Sequence, residues 1–184
     1  FIRYDALNQK EKEVIHLANS VAVSLPLSEI DSLPKDPEDL KGLQFKQIKY
    51  ALQQIVAVNQ KARFAYLYTQ RQDDLYFLVD SESENSKDYS PSGQKFSEAD
   101  PVDFLPFRTG LPQVTRPVTD RWGTWVSIEI PVKNKSSEII AVFGMDYDAR
   151  SWKLRLWGET AESLLLVMVL LALVIAYIRI ARKN

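Results

Sequence analysis

Two segments in the N-terminal third of the chain carry apolar residues at helical spacing. Around residues 8–25, apolar residues recur at steps of three and four. These positions are Leu7, Val14, Leu17, Ala18, Val21 and Leu25. Pro26 disfavours helical backbone at the residue before it, so the helix is expected to end there. The pattern predicts an amphipathic N-terminal helix within residues 1–30, and a proline-punctuated connection follows over residues 24–37.

A second helix is predicted from the start signal Asp-Pro-Glu-Asp at residues 36–39. Asp36 can cap the helix, Pro37 suits its first position, and two acids occupy the positive first turn. An apolar face then continues along the segment. It consists of Leu40, Leu43, Ile48, Leu52, Ile55 and Val58. We expect this helix to end near Asn59.

From residue 63 onward the apolar spacing changes to alternation, which is typical of half-buried strands. The predicted strands are residues 63–69, 75–81, 113–118, 124–132 and 138–147. The first two form a hairpin around a polar turn. Residues 81–106 are polar and long for a connection within a compact domain, which indicates a functional lid or a mobile segment. Two helices followed by five strands predict an α+β fold with an antiparallel five-stranded sheet.

The run LLLVMVLLALVIAYI, residues 164–178, contains no charge, proline or glycine. Extended to residues 161–181, such a helix spans roughly the 30 Å of a bilayer's hydrocarbon core. A core helix of a globular domain is disfavoured because no polar face remains for water. The run predicts a transmembrane helix, after a juxtamembrane connector at residues 153–160 and before a cytoplasmic stub at residues 182–184. Equal numbers of basic residues flank it on both sides, so charge alone does not decide its orientation.

Composition excludes several classes of function. The net charge of -1 argues against a nucleic-acid binder, which needs a basic face. The absence of cysteine excludes disulfides, thiol catalysis and cysteine-ligated zinc. His16 is the only histidine, and no phosphate-binding loop, dinucleotide motif or nucleophile elbow occurs. We therefore expect no catalytic residue, no metal and no cofactor in this chain.

The runs TDRWGTWVSIEIPV, residues 119–132, and AVFGMDYDARSW, residues 141–152, resemble the Cache sensor domains, also called PDC domains. Residues 66–69 and 77–81 are similar to the first two sheet strands of that family, and residues 87–93 to the loop after them. The resemblance covers about residues 5–152. It implies a PAS-like extracytoplasmic sensor of bacterial transmembrane receptors such as histidine kinases or diguanylate cyclases. The Arg, Trp, Tyr and Asp set of amino-acid-binding double Cache proteins is not found, so ligand identity does not carry over.

The resemblance implies a ligand pocket between the sheet and the long loop, and Asp146 is the leading candidate within it. A carboxylate on a central strand is costly to bury unless it is paired, and in the family an acid here can receive a ligand's amine or hydroxyl. Gly144, in phase with Asp146, would let a ligand or another backbone approach closely. The alternative is a structural role, in which Asp146 serves as a cap or pairs with a structural arginine such as Arg121 or Arg150.

Aromatic and hydroxyl side chains supply the other candidate ligand contacts. Strand alternation places Tyr66 and Tyr68 on one face, and likewise Trp125 and Ser127 on another strand. Tyr89, in the long loop, is a candidate lid contact. Ordinary packing is the favoured alternative for aromatic residues in strands.

Two further features have ordinary structural interpretations, which we favour. Residues 122–123, Trp-Gly, are predicted to form a tight turn, with Trp122 packed on the sheet. Four acids of the long loop invite a calcium interpretation, but the spacing lacks the required glycine and terminal glutamate. They are Asp80, Glu82, Glu84 and Asp88. A solvated acidic loop is the favoured interpretation.

The leading hypothesis is a ligand-gated, non-enzymatic sensor held in the bacterial inner membrane, with its sensor domain periplasmic or extracellular. Its expected partners are a small carboxylate, amino acid or amine, the lipid bilayer, and a second copy bound through the helix at residues 8–25. That helix could instead simply pack on the sheet. A shift in the last strand, continued through residues 149–157, would move the membrane helix and act on an output domain. A tail-anchored protein with a cytosolic domain, and a membrane-anchored enzyme using Asp146 or Asp80, stay open as alternatives.

Overall fold

The computed structural model describes residues 2–33 and 42–152. Helices come first, as predicted. They are α1 (Ile2–Val23), α2 (Leu27–Asp31) and α3 (Leu43–Val58). The strands follow, with a 3₁₀ helix (Pro101–Phe104) and α4 (Leu105–Thr109) between the second and third. They are β1 (Ala62–Arg71), β2 (Asp74–Asp80), β3 (Gln113–Val114), β4 (Val118–Thr119), β5 (Thr124–Lys133) and β6 (Ile139–Asp148).

All six strands belong to one antiparallel sheet with the order β2-β1-β6-β5-β3, and β4 also pairs with β5. The hairpin of β1 and β2 is confirmed, and β5 and β6 form a second hairpin. The three long strands β1, β6 and β5 lie side by side, so side chains from sequence positions about 80 residues apart become neighbours. The predicted α+β class with an antiparallel sheet is confirmed.

The helices cover one face of this sheet. Ile48 and Leu52 of α3 are fully buried, and α3 packs against β1 and β2. At the end of α3, Asn59 donates a hydrogen bond of 2.7 Å to the Tyr147 hydroxyl of β6. Asn59 is also the C-cap of α3, as predicted. The predicted start of this helix, at residues 36–39, lies outside the described residues.

The buried stripe of α1 includes Ala18, as predicted, and departs from the prediction at Leu17. Ala18 and Ala22 are buried, and α1 packs against β5. Leu17, which the predicted stripe included, is 60% exposed. The small alanines face the sheet because they let the helix approach it closely, which turns the larger Leu17 away from the core.

Four expectations about strands and connections are corrected. The predicted strand at residues 113–118 is two short strands, because Pro117 has no N–H to donate to the ladder. Thr115 remains beside β5, where its N–H donates to the Ser127 carbonyl at 2.8 Å. The connection after Pro26 contains α2, and the long loop contains part of the 3₁₀–α4 segment. The last strand ends at Asp148, and residues 149–152 are helical, so the strand does not continue toward residue 157 as expected.

No helix within residues 2–33 and 42–152 is long and apolar enough to cross a membrane. The predicted transmembrane helix at residues 161–181, with its connector and stub, lies outside the described residues. The chain divides into two compact units, Phe1–Ala149 and Arg150–Asn184. The sheet and the candidate site belong entirely to the first unit.

Candidate functional site

The face of the sheet opposite the helices is covered by aromatic side chains. Phe64, Tyr66 and Tyr68 share this face because alternate residues of β1 point the same way. Phe77 of β2 and Trp125 of β5 join them. Half-buried aromatic rings from the long loop, α4 and the turn before β5 pack on top. They are Phe96, Phe104, Phe107 and Trp122. We call this set the aromatic cluster.

A cavity of about 30 Å³ lies between the sheet and the segments that cross the aromatic cluster. Its aromatic lining is Phe64, Tyr66, Phe77, Phe96 and Trp122. Its polar lining is Asp80, Asp88, Ser90, Asp120 and Asp146. A volume of this size accommodates about two water-sized groups. The cavity therefore combines aromatic walls with four carboxyl groups in a very small space.

Asp146 lies at the sheet side of the cavity, in the middle strand β6. It is opposite Phe64 of β1 and Ser127 of β5 in the strand register. The Tyr66 hydroxyl donates a hydrogen bond of 2.9 Å to Oδ1 of Asp146, and the Ser127 side chain also hydrogen-bonds to this carboxyl. Burial raises the pKa of Asp146 to about 7, although the two hydroxyl donors favour the charged form. A carboxyl in this state changes its charge near neutral pH.

Arg121, one of the two arginines considered as a structural partner of Asp146, contacts other groups. Arg121 lies 3.5 Å from the Glu98 carboxylate, and its guanidinium stacks 4.0 Å above the Trp122 ring. The partners of Asp146 in the described part of the chain are the hydroxyls of Tyr66 and Ser127. These neutral donors satisfy lone pairs without supplying an opposite charge.

Gly144 makes room for Tyr66. A Cβ atom at Gly144 would lie 2.3 Å from Cε2 and 2.5 Å from Cζ of the Tyr66 ring. The tyrosine ring therefore lies directly over the glycine in the adjacent strand, and this contact aims its hydroxyl at Asp146. The close approach predicted at Gly144 is made by a side chain of the protein itself.

Asp80 corrects the interpretation of the long loop as a solvated acidic segment. Its side chain is buried, and it accepts hydrogen bonds from the backbone N–H groups of Glu82 at 2.9 Å and Ser90 at 2.8 Å. Burial raises its pKa to about 6 against the opposing effect of these two donors. Asp80 thus fastens both ends of the loop segment 82–90 at the end of β2.

Two basic side chains hold the same segment from outside. Lys49 of α3 donates to the carbonyl oxygens of Asp80, at 2.9 Å, and of Glu82, and lies 4.4 Å above the ring of Tyr89. Partial burial lowers the pKa of the Lys49 amine. Arg63 bonds to Glu82 and, at 3.1 Å, to Asp88. The rim of the cavity is therefore pinned by ion pairs and backbone contacts.

The predicted turn at residues 122–123 is confirmed, and Asp120 organises it. One oxygen of Asp120 accepts from the N–H groups of Trp122 at 2.8 Å, Gly123 at 2.9 Å and the Trp125 indole at 3.1 Å. Gly123 has φ of 155°, which L side chains rarely adopt. The turn places the Trp122 ring against the cavity, in addition to the packing role that was expected for it.

A second buried polar cluster holds the end of the long loop on the sheet. Glu129 of β5 and Asp103 of the 3₁₀ helix are both buried and hydrogen-bonded to each other. Burial raises the pKa of both carboxyls, and the repulsion of Asp103 raises that of Glu129 further. Gln113 donates to Glu129 and, at 2.7 Å, to the Val102 carbonyl, and Tyr68 donates to the Asp103 carbonyl at 3.0 Å. Because burial and the nearby Asp103 raise the pKa of Glu129, its protonated form is favoured, and the hydrogen bond between the two carboxyls links the 3₁₀ helix to β5.

The structure separates the six predicted ligand contacts into three groups. Asp146 and Tyr66 line the cavity, and Ser127 bonds to Asp146 from behind. Trp125 is buried, and the centroid of its ring lies 5.1 Å from the centroid of the Phe64 ring. Tyr68 and Tyr89 are outside the lining: Tyr68 lies in the second polar cluster, and Tyr89 lies under Lys49.

Several lining residues were not singled out as ligand contacts from the sequence. They are Phe64, Phe77, Ser90, Phe96 and Asp120, while Asp80, Asp88 and Trp122 were noted in other roles. Phe64 could have been found, because it is two residues before Tyr66 on the same strand face. The loop residues carry no periodic signal that would place them. Within the described ranges no group of three or more acids or histidines is arranged to hold a metal ion.

Comparison with known proteins adds information about the fold. No protein-family model matches this sequence, and no curated protein matches it. Among solved structures, the periplasmic domain of RsbU from Chlamydia trachomatis is similar with 16% identity and a TM-score of 0.50, over 84% of this chain and 51% of that one. An extracellular ligand-binding receptor from Desulfohalobium retbaense gives 15% identity and a TM-score of 0.48, over 78% of this chain and 24% of that one.

The ligand-binding domain of the Campylobacter jejuni chemoreceptor Tlp3, in complex with 4-methylisoleucine, gives 12% identity and a TM-score of 0.44, over 82% of this chain and 62% of that one. This chain spans less than two thirds of the length of each of these three structures. At such identities the likeness concerns the fold. At the level of the fold, the chain is similar to the periplasmic domain of RsbU, which agrees with the α+β fold expected from the sequence.

Proposed function

We propose that this chain is the small-molecule-sensing part of a membrane receptor and that the ligand occupies the cavity beside Asp146. The observation that carries the proposal is a buried carboxyl with only hydroxyl partners, at the base of an aromatic cavity closed by a pinned loop. Such a combination of apolar walls and a few convergent polar groups is typical of ligand sites. The role is binding and not catalysis, since the described cavity lining contains carboxyls but no nucleophile paired with a base.

The proposed signal path uses β6. This strand carries both Gly144 and Asp146, and it ends at Asp148, where residues 149–152 are helical. A ligand that favours one position of Tyr66 and Asp146 changes the packing of β6, and the chain leads from there to the predicted membrane helix and an output domain. The ligand acts only through its different affinities for the two arrangements. We place the domain on the periplasmic or extracellular side of the bacterial inner membrane.

We also propose that the receptor pairs with a second copy through α1. Two large apolar side chains of this helix face solvent, Leu17 at 60% and Val23 at 75% exposure. The buried alanines of the same helix pack on the sheet, so packing and pairing use different residues of α1.

A thermal unfolding screen tests the sensing function. The 184-residue chain in detergent, followed by tryptophan fluorescence, is mixed with carboxylates, amino acids, amines and sugars. A compound present at about 100 times its dissociation constant stabilises the fold by about 2.7 kcal/mol. Tyr66→Phe, which removes the hydroxyl on Asp146, is expected to reduce this stabilisation.

Tyr50→Phe is the matched control, because Tyr50 is 63% exposed on α3 and does not line the cavity. It should leave the stabilisation unchanged. Absence of a shift with every class of compound, or equal effects of the two tyrosine variants, would contradict the proposed site.

A further inference from the structure

The carboxyl pair of Glu129 and Asp103 lies outside the lining of the cavity, and the proposed sensing function does not use it. Glu129 is 1% exposed in β5, and Asp103 is 7% exposed in the 3₁₀ helix. The two side chains are hydrogen-bonded to each other. This bond connects the 3₁₀–α4 segment, residues 100–109, to the strand beneath it, and we call these residues the covering segment.

The hydrogen bond between the two carboxyls requires a proton, because ionised carboxyls only accept hydrogen bonds. Asp103 is suited to be the charged member, since its Oδ2 accepts the Asp100 N–H at 2.7 Å. Glu129 is suited to be the protonated member, because burial and the repulsion of Asp103 raise its pKa well above the ordinary value. Loss of this proton leaves two negative charges side by side in a buried place, which is unfavourable.

The groups around the pair do not offset a second negative charge. The Gln113 amide, which donates to Glu129, is neutral. The ionisable groups that act on the pair are Asp100, Asp120, Asp146, Tyr66 and Tyr68. The basic groups nearest in the fold contact other atoms: Arg108 of α4 lies 5.6 Å from the centre of the Phe104 ring, and Lys133 of β5 donates to the Gly110 carbonyl at 3.1 Å.

The pair lies at the centre of the polar contacts that hold the covering segment on the sheet. Gln113 donates to Glu129 and, at 2.7 Å, to the Val102 carbonyl. Tyr68 donates to the Asp103 carbonyl at 3.0 Å. Gly110 follows the segment with φ of 66°, a left-handed conformation that glycine adopts without strain, so the chain can change direction there. The covering segment can therefore move away from the sheet while β5 stays in place.

We propose that Glu129 and Asp103 form a pH-sensitive switch, in which a shared proton keeps the covering segment on the sheet and loss of that proton releases it. The segment is bound at low pH and released as the pH rises, because the stability contributed by a group of raised pKa is lost as the pH passes its folded-state value. Release removes Phe104 and Phe107 from the aromatic cluster. The switch does not depend on a small-molecule ligand.

Hydrogen exchange of the 184-residue chain in detergent at pH 6, 7, 8 and 9 tests the switch, with each rate corrected for the base catalysis of exchange itself. The informative amides are those of residues 102–110, including Asp103 and Gly110, whose N–H groups donate at 2.9 Å to the carbonyls of Asp100 and Pro106. Their protection is expected to fall at least ~10-fold from pH 6 to pH 9. Amides of α3, on the other face, should change by less than ~2-fold over the same range.

Glu129→Gln is the decisive variant, because its amide keeps a donor for Asp103 and an oxygen for Gln113 but cannot ionise. Protection of residues 102–110 in this variant should change by less than ~2-fold from pH 6 to pH 9. Asp103→Asn should lose the pH response as well, since its amide can donate to an ionised Glu129. Glu84→Gln, which removes a charge from an exposed position, is the control and should keep the full response of the native chain.

The native chain alone decides the first outcome: constant protection of residues 102–110 from pH 6 to pH 9 overturns the switch. An equal fall in Glu129→Gln overturns it too, because the carboxyl would then be only structural. A fall that α3 shares would be general unfolding and would also contradict release of one segment. None of these results bears on the sensing function, which is tested by the screen of compounds.

Discussion

Replacing Asp146 with asparagine is expected to raise the free energy of unfolding at pH 8 by about 2–4 kcal/mol in the absence of ligand. Asp146 is ionised at pH 8 although it is buried, because this pH is above its pKa of about 7, which burial raises from the ordinary 3.8. At about 1.36 kcal/mol per pH unit, the interval between these two values sets an upper limit of about 4 kcal/mol. Asparagine keeps an oxygen for the Tyr66 hydroxyl and carries no charge.

The sign of the pH dependence follows from the raised pKa. The stabilising contribution of protonated Asp146 is complete below pH 4, and it is lost as the pH rises through the folded-state value of about 7. The native chain should therefore lose stability from pH 4 to pH 8 more steeply than the variant. Asp80, Asp103 and Glu129 also have raised pKa values, but they are present in both proteins and cancel in the difference.

Urea unfolding at pH 4.5, 6 and 8, followed by tryptophan fluorescence, measures this difference. Glu84→Gln is the control for the loss of one negative charge, because it removes that charge from an exposed position. The difference in the free energy of unfolding between Asp146→Asn and the native chain should increase from pH 4.5 to pH 8. Glu84→Gln should show no such increase. A destabilised Asp146→Asn protein at pH 8 would mean that the carboxylate is already compensated and would contradict the description of the site.

Gly144→Ala is expected to destabilise the fold by about 3 kcal/mol. The added Cβ would lie 2.3 Å from the Tyr66 ring, and that ring is buried among Phe77, Tyr68 and the β6 backbone. The ring is packed on these sides, so the strand or the tyrosine must shift. Either shift also breaks the hydrogen bond from Tyr66 to Asp146.

A double-mutant cycle identifies the cause. In a Tyr66→Ala background the obstacle is gone, so the additional effect of Gly144→Ala should fall below about 1 kcal/mol. Gly42→Ala is the matched control, because its Cβ would meet only the flexible end of Gln44 at 3.1 Å. Equal losses from Gly144→Ala in the two backgrounds would show that the tyrosine ring is not what the glycine accommodates.

Strand alternation predicted the sheet side of the site and could not predict the loop side. The phase of β1 and β6 placed Tyr66 and Asp146 on strands, and the register Tyr66↔Gly144 then brought their side chains together. Tyr68 has the same phase as Tyr66, but it meets the 3₁₀ helix instead, because the cavity closes before its position. Periodicity predicts on which face of a strand a side chain lies. It does not predict which residues along that face reach the cavity.

The acids of the loops were the least predictable part. Asp80 and Asp120 are ordinary turn residues in sequence, and their burial arises from backbone N–H groups that come together only after folding. Glu129 was also not predicted as a buried residue, because an acid in the middle of β5 interrupts the apolar pattern of its strand. Its partner Asp103 lies in the 3₁₀ helix, which no periodic pattern in the sequence predicted.

Hydrogen exchange of the 184-residue chain, with and without the compound that binds in the panel, tests the central claim most directly. The account places the ligand between the sheet and the loop, so slowed exchange is expected in residues 80–96, in residues 119–125 and in the part of β6 around Asp146. Helices α1 and α3, on the other face, should be unaffected. Protection confined to those helices, with none in the loop or in β6, would contradict the site.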